Sequence, residues 1–122
     1  MSRNKRVGTA WETAVVRYLR EEVPNSGDIR RVAQTGRLDT GDIHAPPVVL
    51  ECKSVAKIDL AGFVDQAERE AKNAGLPVGV AVVKRRGKGV AAGYVVMSME
   101  TFARVLAYMR EVPANTCEAQ GF

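Results

Sequence analysis

The segment VGVAVVK, residues 78–84, runs without a polar side chain until its closing lysine. Few folds can house it. A strand with one solvated face alternates apolar and polar residues, whereas an unbroken apolar run belongs to a strand covered on both faces. Helical cover is at hand in the preceding sequence. Leu60, Phe63, Val64, Ala67 and Ala71 recur at helical spacing, and Gly75 with Pro77 supplies a stop. Before that helix lies VVLECKS, residues 48–54, whose β-branched opening also reads as a strand. Its alternation places Val49, Glu51 and Lys53 on one face and Val48, Leu50 and Cys52 on the other.

The rest of the chain fits around these elements. Thr9 and Glu12 match a capping box, which predicts a helix over 9–20 with Val15, Val16 and Leu19 on its buried stripe. Trp11 and Tyr18 read as packing residues of that helix. A turn at VPNSGD leads to a strand over DIRRVAQ, and a second short strand starts near Asp42, closed by Pro46 and Pro47. GYVVMS, residues 93–98, reads as another covered strand, with RRGKG as a hairpin turn before it. Ser98 caps a last helix bearing Phe102, Val105, Leu106 and Met109. The expected order is αβββαββα, an α/β fold with a central mixed sheet flanked by helices. With 122 residues, 46% of them hydrophobic and 26% charged, one domain over 1–122 is expected, with flexible ends at 1–7 and 113–122.

Other classes are disfavoured. The basic amino terminus is not followed by an apolar run of signal-peptide or membrane-spanning length, so a cytoplasmic protein without a membrane partner is expected. Cys52 and Cys117 match no zinc spacing and are expected to be reduced. Lys and Arg outnumber Asp and Glu by 18 to 14. The excess is concentrated in Arg3, Lys5 and Arg6, in Arg30, Arg31 and Arg37, and in Arg85, Arg86 and Lys88. One such cluster is ordinary solvated surface; three on so short a chain point to a polyanion partner.

Glu51 and Lys53 interrupt an otherwise apolar strand. On an edge strand they would be a solvated pair of little consequence. On a central strand their desolvation is costly, and charges kept there usually hold something. Asp42, nine positions earlier on the preceding strand, can stand beside Glu51. Two carboxylates with the backbone carbonyl of Cys52 suit Mg²⁺, which keeps water and substrate phosphate at its remaining positions. Lys53 would then orient a water or stabilise charge on a phosphate. Asp39 is the rival of Asp42. His44, the only histidine, reads as incidental.

Asp42 followed by Glu51-Cys52-Lys53 on a central strand, within this element order, resembles the PD-(D/E)XK nuclease superfamily from about Gly8 to Ser98. Among its branches the pattern is most similar to Holliday-junction resolvases of the archaeal type and their phage relatives. The resemblance implies a restriction-endonuclease-like fold and a Mg²⁺-dependent endodeoxyribonuclease, Mn²⁺ substituting, that cuts branched DNA as a homodimer in the cytoplasm, the host's if phage-encoded. It implies Asp42 and Glu51 as metal ligands, Lys53 beside the attacking water, Glu12 as a further acid and Gln66 on the next helix. Glu12 has a competing role as partner of Thr9. Glu70 stands where the exonuclease pattern Q-x-x-x-Y has tyrosine. A restriction- or repair-type endonuclease and a nuclease-like DNA-binding subunit are the alternative readings.

Overall fold

The computed structural model describes residues 3–34 and 36–111, with side chains from residue 6 onward. The side chains of Arg3 and Lys5, Cys117 and the segment 112–122 lie outside the described residues. Within them the order is α1 (Arg3–Glu22), β1 (Arg30–Arg31), β2 (Ile43–Ala45), β3 (Val48–Lys53), α2 (Leu60–Ala74), β4 (Val78–Val83), β5 (Tyr94–Val96) and α3 (Met99–Arg110). A single turn of 3₁₀-helix, Val90–Ala92, precedes β5.

The five strands form one mixed sheet in chain order, β1-β2-β3-β4-β5. All neighbours are antiparallel except β3 and β4, which run parallel with Glu51 level with Ala81. A parallel pair needs a crossover, and α2 supplies it. β3 is therefore the middle strand, and β4 is buried at all six positions, as an unbroken apolar run requires.

The pleat sorts the core into two layers. Trp11, Val15 and Val16 of α1 pack with Leu50, Val78, Val80 and Val82, and Val48 and Cys52 border this layer. Trp11 also donates its Nε1–H to the Val82 carbonyl at 3.0 Å, so its polar atom is satisfied inside the core. Val49, Ala81 and Val83 face the other way, towards buried Ala67 and Ala71 of α2. Gly79 permits this close approach: a Cβ there would collide with the backbone carbonyl of Ala67. Asp59 caps α2 by accepting the Gly62 N–H at 3.0 Å, and Gly75 ends it in the left-handed conformation. Ser98 caps α3, which is tied to α2 where the Ser98 and Thr101 hydroxyls donate to Glu68.

Four expectations are corrected. α1 begins at Arg3, so Thr9 and Glu12 are interior residues and form no capping box; the Thr9 carbonyl instead accepts the Thr13 hydroxyl. The strand expected over DIRRVAQ shrinks to Arg30–Arg31, because it pairs only with the short β2. β5 is not covered on both faces: Tyr94 and Val95 are exposed on an edge strand. The link from β4 to β5 is longer than a tight hairpin, since the 3₁₀ turn lies between Gly87 and Tyr94. Among the described residues no helix is long and apolar enough to cross a membrane.

Candidate functional site

Three carboxylates from three separate segments converge beside β3. Glu51 on the strand, Glu70 on α2 and Asp39 in the loop before β2 each offer an oxygen within 4.8 Å of the others. Glu51 is 5% exposed and Glu70 1%. Their juxtaposition follows from the βαβ unit, in which Glu51 points towards α2 and Glu70 lies on the helix face that also buries Ala67 and Ala71. Gln66, one turn earlier on α2, bridges the pair: its Nε2 donates to Glu51 Oε2 at 3.2 Å and to Glu70 Oε2 at 3.1 Å. Asp39 is held by the Gly41 N–H at 3.0 Å and by Gln34 at 3.1 Å.

The electrostatics of the group are those of acids waiting for a counter-charge. Burial pushes Glu51 far above the usual carboxylate range, and the neighbouring Glu70 and Asp42 carboxyls push it further. Glu70 is raised as well, mainly by burial. Asp39 moves down, chiefly through contact with Glu70, and Lys53 adds to the effect. Glu70 Oε1 is buried without a hydrogen-bond partner. An orphaned carboxylate oxygen in an acidic cluster, with hard oxygen donors on three sides, fits a divalent cation such as Mg²⁺ or Mn²⁺.

Asp42 lies next to this group. Ile43 pairs with Leu50, so one step along the antiparallel ladder Asp42 stands level with Glu51. Its Oδ2 accepts the Cys52 N–H at 2.8 Å, so Cys52 is tied to the site through its N–H. Gly41, at φ 95°, makes the turn into Asp42, and a Cβ there would strike Val49. On the α1 side Glu12 is raised by burial and by Asp42, and is countered by Arg31, whose Nη2 stands 3.3 Å from Glu12 Oε1. The acids thus form a ridge running Glu12, Asp42, Glu51, Glu70, Asp39. Asp39 and Asp42 are both part of it. The Cys52 thiol is raised by burial and then by Asp42 and Glu12, which makes it a poor nucleophile. Lys53 places its Nζ over the Phe63 ring, 5.3 Å from the centroid. His44 is occupied with the Thr40 carbonyl at 2.7 Å.

Glu70 and Asp39 are the members that reading the sequence did not assign. The signal for Glu70 was present: Gln66 and Glu70 are one helical turn apart, beside the small residues Ala67 and Ala71 that let α2 sit close to the sheet.

The basic residues fall at opposite edges of the sheet. Arg30 and Arg31 on β1 line a groove with Arg17 and Arg20 of α1. Arg85, Arg86 and Lys88 line a cleft with Lys84 and with Ser54, the residue after Lys53. Arg6 and Arg37 are exposed. No family model, curated protein or solved structure matches the chain.

Proposed function

We propose that the chain is a metal-dependent DNA endonuclease of the PD-(D/E)XK kind on a restriction-endonuclease-like fold, acting on branched DNA such as a four-way junction. One observation carries the reading: buried Glu51 of the middle strand and buried Glu70 of α2 are bridged by Gln66 of the same helix, with Asp42 level with Glu51 and Lys53 two residues on. Uncompensated buried carboxylates cost stability, and a bound cation would offset that cost. Mg²⁺ bound there would supply positive charge to the phosphate under attack.

The chain's own groups do the rest. Glu51, Glu70 and Asp39 would hold the ion, with Asp42 beside them as the further ligand. Lys53 orients the attacking water and meets the charge that develops on the phosphate. Gln66 fixes the Glu51 and Glu70 carboxyls relative to each other. Water adds to phosphorus, the bond to the 3′ oxygen breaks, and a 5′-phosphate remains. The basic residues along both sheet edges take the flanking backbone.

Labelled four-way junction, flap, duplex and single-stranded DNA, each with Mg²⁺ or EDTA, test this. Cleavage of the junction with Mg²⁺ alone is expected, abolished by Glu51→Gln and by Asp42→Asn while DNA binding persists. Cleavage at the unsubstituted rate in both variants would overturn the site. Binding without cleavage under any metal would leave the DNA-binding-subunit reading, which the exposed Arg86 and Lys88 favour independently of the acids.

A further inference from the structure

The cleft that begins at Ser54 is more than a run of phosphate contacts. It is an open space of about 480 Å³, within the size range of small-ligand sites. One wall is apolar, built from Val55, Ile58 and Val83, and Val55 and Ile58 are about half exposed. The same cleft is also lined by the cations Lys84, Arg85, Arg86 and Lys88. Tyr94, also half exposed, lines it too and carries the Arg85 guanidinium at 5.0 Å from its ring centroid.

Phosphate contacts alone do not call for an apolar wall. Apolar side chains beside a stacked guanidinium and ring suit a heterocyclic base, and the flanking cations suit its phosphates. A paired base is stacked inside a duplex and cannot reach such a wall. The Lys84 N–H donates to the Lys53 carbonyl at 2.9 Å, so the cleft is fastened to the strand that bears Glu51.

We infer that this cleft holds an unpaired nucleotide of the DNA, its base against Val55, Ile58 and the Arg85–Tyr94 pair and its phosphates on Arg86 and Lys88. The inference rests on the DNA reading above and deepens it: the chain selects branched or frayed DNA by capturing a base that has left the stack next to the acidic ridge.

Binding in EDTA separates capture from cutting. Fluorescence anisotropy is measured with a short oligothymidine, an abasic chain with the same number of phosphates, and a blunt duplex. The unsubstituted protein is expected to bind oligothymidine about tenfold more tightly than the abasic chain. Tyr94→Ala should remove most of that advantage and change duplex affinity by less than about twofold, and Tyr94→Phe should restore it. Ile58→Ser, outside any strand or helix, repeats the test without touching β5. Equal affinity for oligothymidine and the abasic chain, or parallel losses on single strand and duplex, would overturn the base pocket while leaving the nuclease reading intact. Failure to bind any of the three DNAs would overturn the base pocket, and failure to bind a four-way junction as well would overturn both.

Discussion

Glu51 and Glu70 face each other where α2 covers the sheet, and two such carboxyls share a proton unless a cation between them lets both ionise. Both are raised above the ordinary glutamate value of 4.5. A carboxyl raised on folding stabilises the protein fully below its unfolded value and ceases to do so as pH rises through the folded one. In EDTA the melting temperature should therefore fall between about pH 5 and 8, by at least about 5 °C. The lowered Asp39 has the opposite sign, but it acts around and below 3.8, outside that window. Mn²⁺ or Mg²⁺ should reverse the trend, and Glu51→Gln should flatten it. Thermal melts across the pH range decide this; a metal-free melting temperature independent of pH would count against the acidic pair. The sequence displays only part of this arrangement. Asp42, Glu51 and Lys53 are legible because charges on an apolar strand stand out against their neighbours. Glu70 is not, because a glutamate on an amphipathic helix looks solvated until the partner strand is known. The capping-box role read for Thr9 and Glu12 failed for a local reason: T-x-x-E is a cap only at a helix start, and α1 starts at Arg3.

At the level of elements, the site depends on how closely α2 approaches the sheet, since Gln66 and Glu70 ride on the helix and Glu51 on the strand. Gly79 on β4 sets that distance, with the Ala67 carbonyl directly over it. Gly79→Ala should force α2 outward, costing about 1–3 kcal/mol of stability. It should also weaken Mn²⁺ binding about tenfold, because a displaced Glu70 no longer meets Glu51. Denaturant unfolding and a metal titration of the same variant measure the two effects. Lost stability with unchanged metal affinity would show that Glu70 is not a ligand. The long, strongly patterned elements were readable in advance: α2 by its period and stop, β4 by its unbroken apolar run, α3 by Ser98. The short ones were not. β1 and β5 owe their existence to pairing at the sheet edges rather than to their own patterns, and YVV carries the same apolar signal exposed as it would buried.

For the whole molecule, resolving a four-way junction takes two opposed cuts, and one 13.2 kDa chain carries one Asp42, Glu51 and Lys53 set. We propose a symmetric homodimer. The surface offers material for it: α3 buries only Thr101 fully, while Phe102, Leu106, Tyr108 and Met109 are all at least 40% exposed. Exposed Val95 on the edge strand and Met99 extend this apolar area. Contiguous exposed apolar surface of this kind marks interaction sites, and a two-fold pair is the commonest closed assembly. Val95, Met99 and Phe102 border Ile58, Val83 and Tyr94, so this apolar area adjoins the proposed base cleft. Light scattering should return about twice the chain mass at micromolar concentration, and Phe102→Glu should return the chain mass while the metal-free affinity for a blunt duplex falls by no more than about threefold. The same variant should nick a junction on one strand at a time where the dimer makes paired cuts. An unsubstituted protein that is monomeric yet still makes paired cuts would refute the dimer. A monomer that cuts only one strand would shift the substrate from four-way junctions to the lesions and flaps of a repair-type endonuclease.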